Sequence, residues 1–122
     1  MPSVAIIGAS ADPLKYGNQS VRAHRDQGYD VFPVNPKGGE IEGLPVYARL
    51  ADVPIDNLDR VSMYVPSRIG LSLLDEIAAK GCDELWLNPG SESDELVERA
   101  RELGLNPIQA CSIVDVRSRP RQ

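Results

Sequence analysis

Val4-Ala5-Ile6-Ile7-Gly8-Ala9-Ser10 is an unbroken apolar run that stops at a glycine and two small residues. It continues through Ala11-Asp12-Pro13-Leu14-Lys15 to Tyr16-Gly17-Asn18. An apolar run this short, with no polar alternation, reads as a strand covered on both faces. When such a strand ends in small residues and then opens a helix, it presents backbone N–H groups to a phosphate. The stretch therefore decides for an α/β fold with its ligand at the carboxyl ends of the strands.

Outward from this stretch, Asn18 is the expected N-cap of a first helix that runs through Val21 to Arg25 and stops at Gly28. A second strand follows at Tyr29–Val34. Residues 35–60 show no long helical period, and Pro54 limits Leu50–Val53 to a single turn. The third strand is Val61–Val65, after which Pro66-Ser67 caps a helix with Gly70, Leu73, Leu74, Ile77 and Ala78 at helical spacing, closed by Gly81. Glu84–Leu87 is the fourth strand. Ser91 and Asp94 resemble a capping box for a helix with Leu96, Val97, Ala100 and Leu103 on its apolar face. Pro107–Ala110 is a short last strand. This order predicts a five-stranded parallel sheet with helical crossovers.

The chain of 122 residues fits one domain, expected over 1–116, with the Arg-rich stretch 117–122 read as a disordered tail. Aromatic residues make up only 5%, so the core falls to Val, Ile, Leu and Ala. A net charge of -5 argues against a nucleic-acid or acidic-membrane binder, yet leaves room for a local basic site. Cys82 and Cys111 have neither disulfide nor zinc spacing and are expected to be free thiols. With no signal peptide or membrane-spanning run in the sequence, a cytoplasmic location is expected. No metal site is expected.

In an open parallel sheet the ligand lies beyond the strand ends. The residues there are Gly8, Ala9 and Ser10; Asn35, Pro36 and Lys37; Pro66, Ser67 and Arg68; Asn88, Pro89 and Gly90; and Cys111 and Ser112. Small residues admit a ligand backbone, and Lys15, Lys37 and Arg68 suit a ligand with several phosphates. NAD would call for G-x-G-x-x-G and an acidic residue about 20 residues further on. Here Ala9 and Ser10 follow Gly8, and the second strand ends in Asn35-Pro36-Lys37, where a cation favours a phosphorylated ribose.

These residues carry a resemblance. With Lys15-Tyr16-Gly17-Asn18, Pro33-Val34-Asn35-Pro36-Lys37, Gly43-Leu44-Pro45-Val46-Tyr47, Leu50-Ala51-Asp52-Val53-Pro54 and Trp86-Leu87-Asn88-Pro89-Gly90, the chain resembles the small single-domain CoA-binding proteins. These are similar in fold to the CoA-binding domain of succinyl-CoA synthetase α subunits. The resemblance implies a Rossmann-like three-layer sandwich with strand order 3-2-1-4-5. It places the CoA pyrophosphate at Gly8, Ala9, Ser10 and the helix start flanked by Lys15 and Tyr16, and the 3′-phosphate at Lys37. Adenine and ribose fall to Val65 and Pro66, and the pantetheine to Asn88-Pro89-Gly90. The role of Ser67 stays open. The synthetases' phosphorylated histidine belongs to a second domain, which is not expected here, so synthetase activity is not implied.

No titratable pair reads as nucleophile and base, so no catalytic residue is assigned. The first reading is a binding protein for CoA or acyl-CoA, with oligomeric state open. The alternatives are an enzyme using the pocket for NAD(P) or a CoA thioester, or a regulatory module that senses CoA and binds a partner. Cys111 is a candidate for a mixed disulfide with the CoA thiol. His24, Cys82 and Trp86 read as structural. Glu92, Asp94, Glu95 and Glu98 read as a solvated helix start. Arg117, Arg119 and Arg121 are a weak polyanion signal.

Overall fold

A computed structural model describes residues 1–119. Ser3–Ile7 forms β1, whose five residues are all buried because the strand lies inside the sheet with helices on both faces. Its side chains alternate as a pleat requires. Ala5 and Ile7 join a core with Leu74, Ile77, Leu96 and Val97, while Val4 and Ile6 pack with Val21 on the other side. The remaining sheet strands are β2 (Asp30–Val34), β5 (Leu58–Met63), β6 (Cys82–Leu87) and β7 (Pro107–Ile108). One face carries α1 (Tyr16–Asp26) and α4 (Ser112–Ser118); the other carries α2 (Ser67–Lys80) and α3 (Asp94–Glu102). The result is the expected α/β three-layer architecture with a five-stranded parallel sheet.

The expected strand order is corrected. The sheet runs β2-β1-β5-β6-β7, which is 2-1-3-4-5 among the sheet strands rather than 3-2-1-4-5. Proline gives the reason. The Pro33 carbonyl accepts from the Tyr47 N–H at 2.9 Å across the outer side of β2. A residue's N–H and C=O point to the same side of a strand, so the N–H that Pro33 lacks would also face outward. An interior strand could not tolerate that gap. Val34 and Tyr47 form only an isolated bridge there, and the chain returns to pair β5 with the free side of β1.

Other boundaries shift too. α1 starts at Tyr16 with Lys15 as N-cap, and Asn18 is buried inside the helix, its amide donating to the Ser10 carbonyl at 3.0 Å. The crossover contains a hairpin of β3 (Glu40–Ile41) and β4 (Leu44–Pro45), turned by Glu42 and Gly43 at φ 52 and 78. Such positive angles suit a two-residue hairpin turn. The single turn near Leu50 is a short 3₁₀ segment, Leu50–Asp52. The third sheet strand ends at Met63, not Val65, and α2 has Pro66 as its N-cap. Ser93, not Ser91, caps α3, accepting from the Leu96 N–H at 3.2 Å. The stretch read as a tail begins inside α4, which carries Arg117 and Ser118; residues 120–122, with Arg121, lie outside the described residues.

Candidate functional site

Parallel register sets the level of the site. Ile7 pairs with Val34 on one side and Met63 on the other, so Gly8, Asn35 and Tyr64 leave the sheet together. The Gly8 and Ala9 N–H groups both donate to the Val34 carbonyl, at 3.1 and 3.3 Å. Asn35 locks the turn from the other strand: its amide donates to the Ala9 carbonyl at 2.8 Å, and its Oδ1 accepts from the Lys37 N–H at 2.9 Å. Gly8 stands at φ 87, the left-handed region that glycine enters freely.

The first turn of α1 presses directly onto this loop. A Cβ on Gly17 would lie 2.3 Å from the Gly8 carbonyl oxygen, so only glycine permits the contact. Lys15 gives the helix no side-chain cap. The Tyr16 and Gly17 N–H groups thus have no hydrogen-bond partner among the described residues and stand at the positive end of the helix dipole, where an anion is favoured. Gln19 and Arg22 steady the outer loop, donating to the Leu14 and Pro13 carbonyls at 3.1 and 2.8 Å.

These parts line an open cleft of about 690 Å³. Of the residues expected at the site, Gly8, Ala9, Ser10, Lys15, Tyr16, Asn35, Lys37, Val65, Pro66, Pro89 and Gly90 meet there. Leu14, Gly17, Tyr64 and Ser91 join them without having been anticipated. Tyr64 was hidden by reading its strand too long, and Ser91 by reading it as a cap. Leu14 and Tyr16 stand exposed at the rim. No carboxylate or imidazole is among the lining residues, so Lys15 and Lys37 have no acidic competitor in the cleft. Beside the cleft, and sharing Gly8, Asn35 and Val65 with it, is an apolar chamber of about 440 Å³ that Pro36 also lines.

Ser67, Arg68, Asn88 and Cys111 are not among the lining residues of either space. Ser67 and Arg68 form the start of α2. Asn88 is buried as a latch beneath the cleft: its amide donates to Ser62 Oγ and the Met63 carbonyl at 2.9 and 2.8 Å, and its Oδ1 accepts from the Ser112 N–H at 2.8 Å. The Tyr64 hydroxyl reaches the same group, 3.0 Å from Ser112 Oγ, and burial, above all, pushes its pKa up. Cys111 is the N-cap of α4 and packs against Ala23, Ile113 and Val116. Cys82, also a free thiol, is pushed up to about 12, chiefly by burial, with Asp83 and Glu84 adding to it.

Outside the lining of the cleft, His24 and Trp86 are buried, and the face of Trp86 is taken by the Arg60 guanidinium at 4.7 Å. Arg119 pairs with Asp115 at 3.1 Å. Among the described residues no group of acidic, His and Cys side chains could hold a metal ion. No described helix is long and apolar enough to cross a membrane.

Comparison with known proteins agrees with this fold. The family profile described as a CoA binding domain matches residues 2–117. The chain is 34% identical over 119 residues to acetate–CoA ligase [ADP-forming] I subunit alpha of Pyrococcus furiosus, covering 84% of this chain and 26% of that protein. It thus spans about a quarter of that relative's length. A conserved hypothetical protein from Pyrococcus furiosus superposes with a TM-score of 0.84 at 34% identity, covering 94% of this chain and 99% of that one. The dinucleotide-forming acetyl-coenzyme A synthetase 1 of Ca. Korarchaeum cryptofilum, in complex with phosphate and ADP, superposes with a TM-score of 0.75 at 32% identity. That match covers 88% of this chain and 25% of the synthetase.

Proposed function

Because the chain belongs to the CoA-binding domain family, we propose that it binds coenzyme A or an acyl-CoA across the carboxyl ends of its strands, without chemistry of its own. The observation that carries this reading is the seam between Gly8 and Gly17, which brings an uncapped helix start into one cleft with Lys15 and Lys37. The pyrophosphate meets the free Tyr16 and Gly17 N–H groups at the start of α1, as phosphates do at helix starts. Lys37, on the neighbouring strand end, takes the 3′-phosphate. The adenine enters the apolar chamber against Val65 and Pro36, and the pantetheine leaves past Pro89 and Gly90. From β2 to β6 is three strand spacings, about 14 Å at ~4.8 Å each, a span suited to an extended cofactor. Two free thiols suit a reducing compartment, and the cytoplasm is the proposed location.

Calorimetric titration tests the proposal. CoA binds saturably, and Lys37→Ala weakens it about tenfold, the loss of one charge-assisted contact. Dephospho-CoA binds the wild type and Lys37→Ala alike. No binding of CoA at concentrations on the order of millimolar overturns the reading. Native mass spectrometry with and without reductant adds the covalent question: an adduct of CoA mass that reduction removes, and that Cys111→Ser abolishes, marks a mixed disulfide.

A further inference from the structure

The apolar chamber beside the cleft has a polar feature in its outer wall. Ile69, Leu73 and Glu76 are spaced four and three residues apart along α2 and so share one face. That face lines the chamber. Ile69 and Leu73 offer a flat apolar body a surface to lie on, and Glu76 ends that surface with a carboxylate whose side chain is only 22% exposed. Arg49 Nη2 donates to Glu76 Oε1 at 3.0 Å. Among the described residues, Oε2 has no hydrogen-bond partner. The chamber thus combines apolar walls with one acceptor held in place by an arginine. It fits a flat ring that presents N–H at its edge, whereas a ring with a carbonyl oxygen at the same edge would face a carboxylate.

We propose that Glu76 is a specificity-determining residue: it accepts from the exocyclic amino group of an adenine base in this chamber and so rejects 6-oxo purines. Arg49 is a positioning residue that occupies Oε1 and leaves Oε2 for the base. The inference rests on the reading that the cleft holds the phosphates of CoA and the chamber its base.

The test compares CoA with its deaminated analogue, in which hypoxanthine replaces adenine, by calorimetry on the wild type and on Glu76→Gln. A site built to bond the exocyclic amino group penalises the analogue that places O6 against the same carboxylate oxygen, so the wild type prefers CoA about tenfold or more. In Glu76→Gln the amide carbonyl keeps Arg49 while the amide N–H₂ turns to the base, and the preference falls to about twofold or reverses. The substitution is isosteric, and a thermal melt checks that the fold is kept. Equal affinity of the wild type for both ligands, or an unchanged preference in Glu76→Gln, overturns the role of Glu76 while leaving CoA binding intact. Binding of neither ligand overturns both readings.

Discussion

A Cβ atom on Gly17 would meet the Gly8 carbonyl oxygen at 2.3 Å, and the obstacle is main chain, which cannot turn aside as a side chain can. Gly17→Ala must lift the first turn of α1 from the loop. Overpacking of this kind costs about 1–3 kcal/mol, read from denaturant unfolding. CoA affinity is expected to fall about tenfold or more, since phosphate contacts at a helix start depend on close approach of the backbone. A variant with lowered stability but unchanged affinity would show that the phosphates are not held at this seam. The loop itself was legible in the sequence because Gly8, Ala9 and Ser10 are consecutive and their character is local. Gly17 was visible as a glycine but not as the contact point, since that depends on how α1 docks. Asn88 shows the harder case. It follows a strand and so reads as a ligand contact, yet it spends its amide on partners 26 and 24 positions away in sequence, Ser62 and Ser112.

At the scale of elements, β1 and α2 were readable because periodicity and helix stops agree over their whole length. The sheet order carried a sequence signal in Pro33, which only an edge strand accepts. α4 carried little, since Ser112–Ser118 is too short to be a stable helix by itself and forms where tertiary contacts hold it. It is held at its start and its middle. Ser112 is tied to Asn88 at the first turn, and mid-helix Asp115 pairs with Arg60, whose guanidinium is buried between Trp86 at 4.7 Å and Tyr29 at 5.5 Å. Glu84 holds Arg60 Nε at 3.0 Å. Asp115→Ala removes one of the two acidic partners of a buried cation, a loss of about 3 kcal/mol for an interior charge left underpaired. Amide exchange in α4 should quicken in this variant well before exchange in β1 does. If α4 keeps its protection, its anchor is the apolar contact of Ile113 and Val116 with Ala23 instead.

The whole molecule carries one buried imidazole at the junction of α1, α4 and the sheet, and this makes its stability depend on pH. His24 is fully buried, with Nδ1 2.9 Å from the Ser20 carbonyl oxygen and Nε2 without a partner among the described residues. Burial lowers its pKa from 6.5 to about 4; the Ser20 carbonyl opposes the shift, nearby Arg60 adds to it, and Asp115 opposes it. The folded chain therefore holds His24 neutral where the unfolded chain would protonate it. Stability from this group is fully present above pH 6.5, and falls away as the pH drops through about 4. Each tenfold difference in proton affinity is worth ~1.4 kcal/mol, so the full effect is about 3 kcal/mol. Urea unfolding at a series of pH values between these limits should show the wild type losing stability more steeply than His24→Gln, which has no group to titrate there. The readout is the difference in slope, which separates the imidazole from any constant cost of the substitution. Parallel slopes would mean that the interior admits water or a counter-charge to His24 and that the α1–α4 junction is looser than its packing implies.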